Sequence, residues 1–342
     1  MKTIKIFSSL GIGDIITLGP LLKKLKSIYP ESKITIISTR QGYFQKLTTT
    51  KELFYIDEVI VLNRPLALFK ISKKSDLLIF LGYYFKNSGL LKVLLYYFLF
   101  FFLRSTKKVK HNELESPEFK NLNMVKIKLD TLKKLGINLF NEDYELFLPF
   151  SFEKETKEIE ELLKKSNITQ KDFLVIIHLG VKEKYFTRFW PFERWIETIN
   201  YLEQDYNAQI IFIGGKNDIE ETEKVIKGLK FPSLNFIGKL SIKQTAALIE
   251  RCDLFISTNS GPMWLAAALR KPQVVLCGPS KFAWDPYNKN AVVVRKIIDR
   301  KYCNPPCDAK KCEYGDNLCT KAIKVEDVIR AIEQQMRNVK KN

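Results

Sequence analysis

Several features are scarce or missing in this chain of 342 residues. No run of about 20 apolar residues occurs, which argues against a membrane-spanning helix. Glycine (15 residues) and proline (13) are too few for a collagen-like or low-complexity chain. There is no internal repeat of solenoid length and no Asp-x-Asp metal motif. A secretory leader is a poor reading of the N-terminus. Its apolar stretch is short, Lys5 interrupts it, and no small-residue cleavage site follows. Met1–Phe7 reads better as a first β-strand, and the expected compartment is the cytoplasm.

What is present describes a folded chain. Apolar residues make up 46% and charged residues 27%. The length suits two domains with two buried cores. Lys and Arg (56) exceed Asp and Glu (38), for a net charge of +18. Such an excess favours anionic partners: phosphate-bearing small molecules, an anionic membrane face, or nucleic acid. Residues 1–150 carry +11 and the remainder +7, so the first half is the better place for a large anionic partner. No nucleic-acid-binding motif accompanies the charge, and no nucleic-acid partner is expected.

Short apolar runs alternate with helical patterns. Strands are expected at 3–7, 33–38, 58–62, 76–81 and 107–110. They are expected again at Phe173–His178, Gln209–Ile213, Leu234–Ile237, Leu254–Ser257, Gln273–Cys277 and Ala291–Val294. Helical patterns fall near 14–28, 42–49, 88–103 and 120–135 in the first half. In the second they fall near 153–166, 191–205, 217–229, 241–250, 260–269 and 325–337. Continuous β-branched runs between helices mark parallel strands covered on both faces. The expected class is therefore α/β, with two doubly wound parallel-sheet domains, 1–150 and 151–342. The linker falls near 148–155, and the last helix is a candidate to pack back on the first domain. Residues Val93–Leu103 are apolar without a break, and Arg104, Lys107, Lys108 and Lys110 follow. Two readings stay open for this segment: a buried helix, or a face turned to an anionic bilayer.

Five constellations carry candidate chemistry. Gly11-Ile12-Gly13-Asp14 leaves the first strand and opens a helix, where a carboxylate is stabilised as the anion. It is either a plain N-cap or a ligand-facing acid. The G-x-G-x-x-G dinucleotide fingerprint is incomplete, because position 16 is Ile. His178-Leu179-Gly180 ends a strand, and Arg188 precedes a helix opened by Pro191. Arg188 there could bind an anion bidentately, with Lys182 and Lys184 in the same loop. Gly214-Gly215 turns toward Asp218, which either accepts ribose hydroxyls or caps the next helix. Asn259-Ser260-Gly261-Pro262-Met263 opens an Ala-rich helix whose free amides suit a diphosphate. Cys303, Cys307, Cys312 and Cys319 lie within seventeen residues and fit either a zinc site or a packed thiol loop. Cys252 and Cys277 read as core.

In this order the motifs resemble the heptosyltransferase family, glycosyltransferase family 9, over nearly the whole chain. The Gly-Asp loop carries the likeness first. Gly238-Lys239-Leu240-Ser241, Asn259–Met263 with Ala266–Leu269, Lys271-Pro272, Gly278-Pro279 and the cysteine tail complete it. The resemblance implies a GT-B fold, with two Rossmann-like domains facing across a cleft. It implies inverting transfer of a sugar, typically heptose from ADP-heptose, to a lipopolysaccharide core or other lipid-linked glycan. The N-terminal domain would take the acceptor and the C-terminal one the nucleotide sugar. Asp14 matches the family's general base, and Gly11 and Gly13 its acceptor-side loop. The donor would rest on His178, Arg188 (diphosphate), Asp218 (ribose), Lys239 and Leu240 (nucleobase loop), and Asn259, Ser260, Gly261, Pro262 and Met263. No metal and no cofactor are assigned. The implied location is peripheral, on the inner membrane face. Two departures stand out. Trp264 occupies a place where many members have His, and Asn259 one where many have Asp. They motivate an alternative, a catalytically silent nucleotide-sugar-binding subunit of a glycan assembly complex.

Overall fold

The alternating pattern becomes two parallel sheets in a computed structural model that describes residues 1–8, 11–38, 53–62, 71–81, 98, 101–110, 122–138, 144–180, 187–298 and 312–339. The chain divides into two compact units, Met1–Ser151 and Phe152–Asn342. The expected helix near 42–49 and residues 88–97 lie outside the described residues.

The first unit holds β1 (Thr3–Ser8), β2 (Lys33–Ser38), β3 (Glu58–Val61), β4 (Ser75–Leu81) and β5 (Ser105–Lys110). Their order across the sheet is β3-β2-β1-β4-β5, all parallel. Ile6 lies beside Ile36 on one flank and Ile79 on the other. Helix α1 (Ile12–Ile28) joins β1 to β2, and α2 (Met124–Asp130) packs against α1. Lys5 breaks an otherwise apolar strand yet is buried, because its ammonium donates to the carbonyls of Ile71 (2.8 Å) and Lys73. The helix expected over 120–135 is α2 followed by a short 3-10 turn, Lys133–Leu135. Gly136 ends that turn at φ +80°, a conformation only glycine adopts easily.

The second unit holds β6 (Leu174–His178), β7 (Gln209–Phe212), β8 (Leu234–Asn235), β9 (Leu254–Thr258), β10 (Gln273–Leu276) and β11 (Ala291–Val294). The order is β11-β10-β9-β6-β7-β8, again parallel. Among the described residues its helices are α3 (Glu153–Lys165), α4 (Phe192–Tyr206), α5 (Ile219–Lys227), α6 (Ile242–Arg251), α7 (Gly261–Ala268), α8 (Leu318–Lys321) and α9 (Val325–Val339). The core sets Val175, Ile177, Phe212 and Ile256 of the strands against Trp195 and Leu202 of α4. Val328 and Ile332 of α9 join that core, and α9 packs on α4, β10 and β11. The last helix therefore buries its apolar face within the second unit.

Each sheet reverses direction of growth at one point, between β1 and β4 in the first and between β6 and β9 in the second. Both orders are Rossmann-like, and two such halves in succession make the GT-B fold. One device recurs in both halves. Asp76 Oδ2 accepts the amides of Lys2 (2.6 Å) and Thr3 (2.9 Å) at the start of β1. Asp253 Oδ2 accepts the amide of Leu174 (2.8 Å) at the start of β6. Each aspartate pins the two strands that flank the reversal. The amides of Lys2 and Thr3 also hold the Asp76 carboxyl below its ordinary value.

The apolar segment ending at Leu103 is not uniformly buried. Leu103 packs with Phe7 and Phe80, but Phe98, Phe101 and Phe102 are 58%, 74% and 47% exposed. Phe98 and Phe102 stack at 5.4 Å on this surface. Among the described residues, no helix is long and apolar enough to cross a membrane.

Candidate active site

In open α/β sheets, ligands bind beyond the carboxyl ends of strands where the winding reverses. Asp14 falls at the first of these places, and His178, Asn259 and Ser260 fall at the second.

In the first unit, the loop after β1 leads through Gly11 into α1. Gly11 is the N-cap in extended conformation, and Asp14 is the third helical residue. Asp14 Oδ2 accepts the Gly11 amide at 2.8 Å, closing the first helical turn. Asp14 is thus an N-cap partner, as its position allowed, and it is buried. Thr17 Oγ1 donates to the Gly13 carbonyl at 2.8 Å. Lys128 reaches the same turn from α2, with Nζ 2.8 Å from the Asp14 carbonyl and 2.6 Å from Thr17 Oγ1. Sequence reasoning missed this lysine.

In the second unit, β6, β7 and β9 deliver three side chains to one place. His178 ends β6, and its Nδ1 lies 3.1 Å from Ser260 Oγ. Its Nε2 lies 3.9 Å from Asp218 Oδ2. Asp218 Oδ2 also accepts the Gly215 amide at 2.6 Å. His178 and Asp218 are both buried. Residues 178 and 260 meet because β6 and β9 are neighbours, paired as His178 with Ser257. Two glycines make room. A Cβ on Gly214 would stand 2.8 Å from Asp218 Oδ2. One on Gly180, at φ +69°, would stand 1.9 Å from Thr258 Oγ1.

Ser260 is the N-cap of α7, with Gly261 and Pro262 in its first turn. The unpaired amides of such a turn and the helix dipole favour an anion. Arg188 stands at this helix start, donating from Nη1 to the Asn259 carbonyl at 3.0 Å. Met263 and Trp264 are buried within α7, so Trp264 serves packing at the place where the resemblance has His in many members. The Asn259 amide group donates to the Trp284 carbonyl at 2.8 Å. Gly238 donates to the Gly214 carbonyl at 2.9 Å, which ties the Lys239-Leu240 turn to the Gly214-Gly215 turn. Lys239 itself is exposed and donates to the Asn235 carbonyl at 2.8 Å.

The segment after β10 was not singled out as part of the site. Asp285 pairs with Arg295 at 2.5 and 2.8 Å, and Arg295 also donates to the Ser280 carbonyl at 3.1 Å. The Arg295 guanidinium lies 4.5 Å from the Phe282 ring centre. This frame holds Trp284, and through it Asn259. Burial pushes the Cys277 thiol beside it up to about 12, and the Cys252 thiol likewise, so both stay protonated and behave as core.

Lys182 and Lys184 lie outside the described residues, as do Cys303 and Cys307. Cys312 and Cys319 are half-buried. Among the described residues, no group of three His, Cys, Asp or Glu side chains is placed to hold a metal.

The sequence model of glycosyltransferase family 9 (heptosyltransferase) matches residues 121–314, more than half of the chain. Lipooligosaccharide heptosyltransferase 2 of Campylobacter jejuni is 34% identical over 140 residues, covering 39% of this chain and 41% of that protein. The lipopolysaccharide core heptosyltransferase OpsX of Haemophilus influenzae is 34% identical over 151 residues, covering 41% and 42%. These alignments span about two fifths of the relatives' own length. A family 9 glycosyl transferase structure from Veillonella parvula superposes over 98% of both chains, with TM-score 0.79 and 22% identity. The Escherichia coli ADP-heptose lps heptosyltransferase II superposes over 99% of both, with TM-score 0.69 and 18% identity. At these identities the superpositions speak for the fold. The family match contains the whole cluster from His178 to Arg295, and the chain belongs to glycosyltransferase family 9.

Proposed function

We propose that this protein is an inverting glycosyltransferase that moves a heptose from ADP-heptose onto a lipopolysaccharide core or other lipid-linked glycan. The observation that carries the reading is the cluster at the second reversal point. Arg188 and the first turn of α7 suit a diphosphate, and Asp218 beside them suits ribose hydroxyls. The named heptosyltransferase relatives support heptose and its ADP carrier as the donor.

The chemistry then divides between the units. Asp14 takes the proton from the attacking acceptor hydroxyl as the new bond to the anomeric carbon forms. The bond from that carbon to the diphosphate oxygen breaks, and its electron pair leaves with ADP. Arg188 and the α7 amides stabilise the charge that gathers on the departing diphosphate. The residues assigned to the leaving group supply fixed positive charge without a metal.

A donor screen by thermal shift tests this reading. ADP-heptose in excess is expected to raise the melting temperature, since a ligand at about 100 times its Kd stabilises by roughly 2.7 kcal/mol. GDP- and UDP-sugars are expected to leave it unchanged. A shift with GDP- or UDP-sugars alone would contradict the donor assignment. Binding of ADP-heptose with no transfer to any lipid-linked acceptor would favour the silent-subunit alternative.

The acceptor side of the proposal includes an anionic membrane surface on the cytoplasmic, inner face. Exposed Phe98, Phe101 and Phe102 stand beside exposed Arg104 and Lys107, at the open edge of the first sheet. Aromatic surface next to basic side chains suits the boundary of an anionic bilayer, where each Lys or Arg contributes about 1 kcal/mol. The protein is expected to sediment with vesicles containing phosphatidylglycerol and far less with neutral vesicles. Phe101→Asp is expected to weaken sedimentation at least about tenfold, the factor that corresponds to the transfer free energy of one aromatic side chain. Equal sedimentation with neutral vesicles, or an unaffected variant, would count against this face.

A further inference from the structure

We propose that Lys128 is a positioning residue for Asp14, a buried ammonium that fixes the first turn of α1 and keeps a positive charge beside the base. The proposal rests on reading Asp14 as the base.

Lys128 is completely buried where α2 meets α1. Its Nζ donates to the Asp14 carbonyl (2.8 Å) and to Thr17 Oγ1 (2.6 Å), and the Thr17 hydroxyl donates in turn to the Gly13 carbonyl (2.8 Å). Asp14 Oδ2 meanwhile holds the Gly11 amide (2.8 Å). One ammonium thus ties down residues 13, 14 and 17, and the Asp14 carboxylate ties residue 11. Lys128 binds the backbone of Asp14, so it holds the turn without itself capping Oδ2.

An ammonium in this place is a liability for folding. Burial pushes it from its ordinary 10.5 down to about 8, and the Asp14 charge opposes that shift only in part. Asp14, on the facing helix, is the charged group that acts on it. Below about pH 8, native and unfolded chains both carry the proton, and the native state bears the whole desolvation penalty. Between about 8 and 10.5 the native chain releases its proton first, so stability rises with pH across that window. An apolar residue of similar volume would relieve the fold of this charge. The hydrogen bonds of this ammonium go to the turn that carries Asp14, which gives a charged lysine a use here that an apolar residue lacks.

The experiment compares wild type, Lys128→Met, Lys128→Arg, Thr17→Val and Asp14→Asn, using the full chain with ADP-heptose and a lipid-linked acceptor. Lys128→Met is expected to melt at or above the wild-type temperature at pH 7. Its kcat should nevertheless fall at least about tenfold with donor KM little changed, because small displacements of a catalytic group carry losses of this order. Wild-type kcat should decline above about pH 8 as Lys128 loses its proton, and Lys128→Arg should hold its rate into that range. Thr17→Val, a milder change, should lower kcat a few-fold in the same pattern. Wild-type kcat in Lys128→Met or Thr17→Val, with Asp14→Asn inactive, would overturn this proposal and leave the base reading standing. Wild-type turnover by Asp14→Asn would overturn both.

Discussion

Arg188→Ala is expected to lower kcat by about 10²–10³-fold, the range seen when one preorganised donor to developing negative charge is removed. The expectation follows from where the guanidinium is held. It bonds the Asn259 carbonyl, one residue ahead of the α7 N-cap, so its charge adds to that of the helix terminus. Charge on the leaving diphosphate is greater at the transition state than in the bound donor. The loss should therefore appear in kcat more than in donor KM. Lys in its place keeps the charge but loses the planar fork, and should recover only part of the rate. Steady-state kinetics with varied ADP-heptose would show this. A rise in KM at unchanged kcat would place Arg188 in ground-state binding only.

The fold was largely legible because parallel strands buried on both faces are written as continuous β-branched runs. Leu174–His178 and Leu254–Thr258 are such runs, buried throughout. The pairing of these two strands was not legible, since periodicity carries no information about which strands become neighbours. Yet that pairing brings His178 to Ser260 across 82 positions of sequence. The glycines at 180 and 214 illustrate the same limit. Each is a plain turn signal in sequence, and only the structure shows which side chain needs the missing Cβ.

Lys128 was hidden for a different reason. Within Met124–Asp130, Lys126 and Lys128 stand two residues apart, on opposite sides of a helix, and the sequence does not say which of them turns inward. Contact with α1 buries Lys128 and leaves Lys126 exposed. The Asp285–Arg295 pair was hidden because it joins a loop after β10 to the end of β11, with no spacing rule to connect them. In the run ending at Leu103, an apolar helix and an apolar surface look alike until neighbours are placed. Exposed Phe101 and buried Leu103, two residues apart, give that segment both characters.

The second large effect concerns Asp14. An acceptor hydroxyl is a poor nucleophile near neutral pH, and removal of its proton in the transition state is typically worth about 10²–10⁴-fold. Asp14→Asn keeps the shape of the side chain and can keep an oxygen for the Gly11 amide, so the first turn of α1 should survive. The variant should then fold, and it should bind ADP-heptose as wild type does, because the residues proposed to hold the donor belong to the second unit. What it loses is the ability to accept a proton.

One measurement separates these properties. Purified Asp14→Asn, saturated with ADP-heptose as monitored by its melting temperature, is mixed with a lipid-linked acceptor, and transfer is followed over a single turnover. The account predicts a wild-type shift in melting temperature together with a transfer rate reduced by at least about 10²-fold. Transfer at the wild-type rate from a fully loaded variant would contradict it.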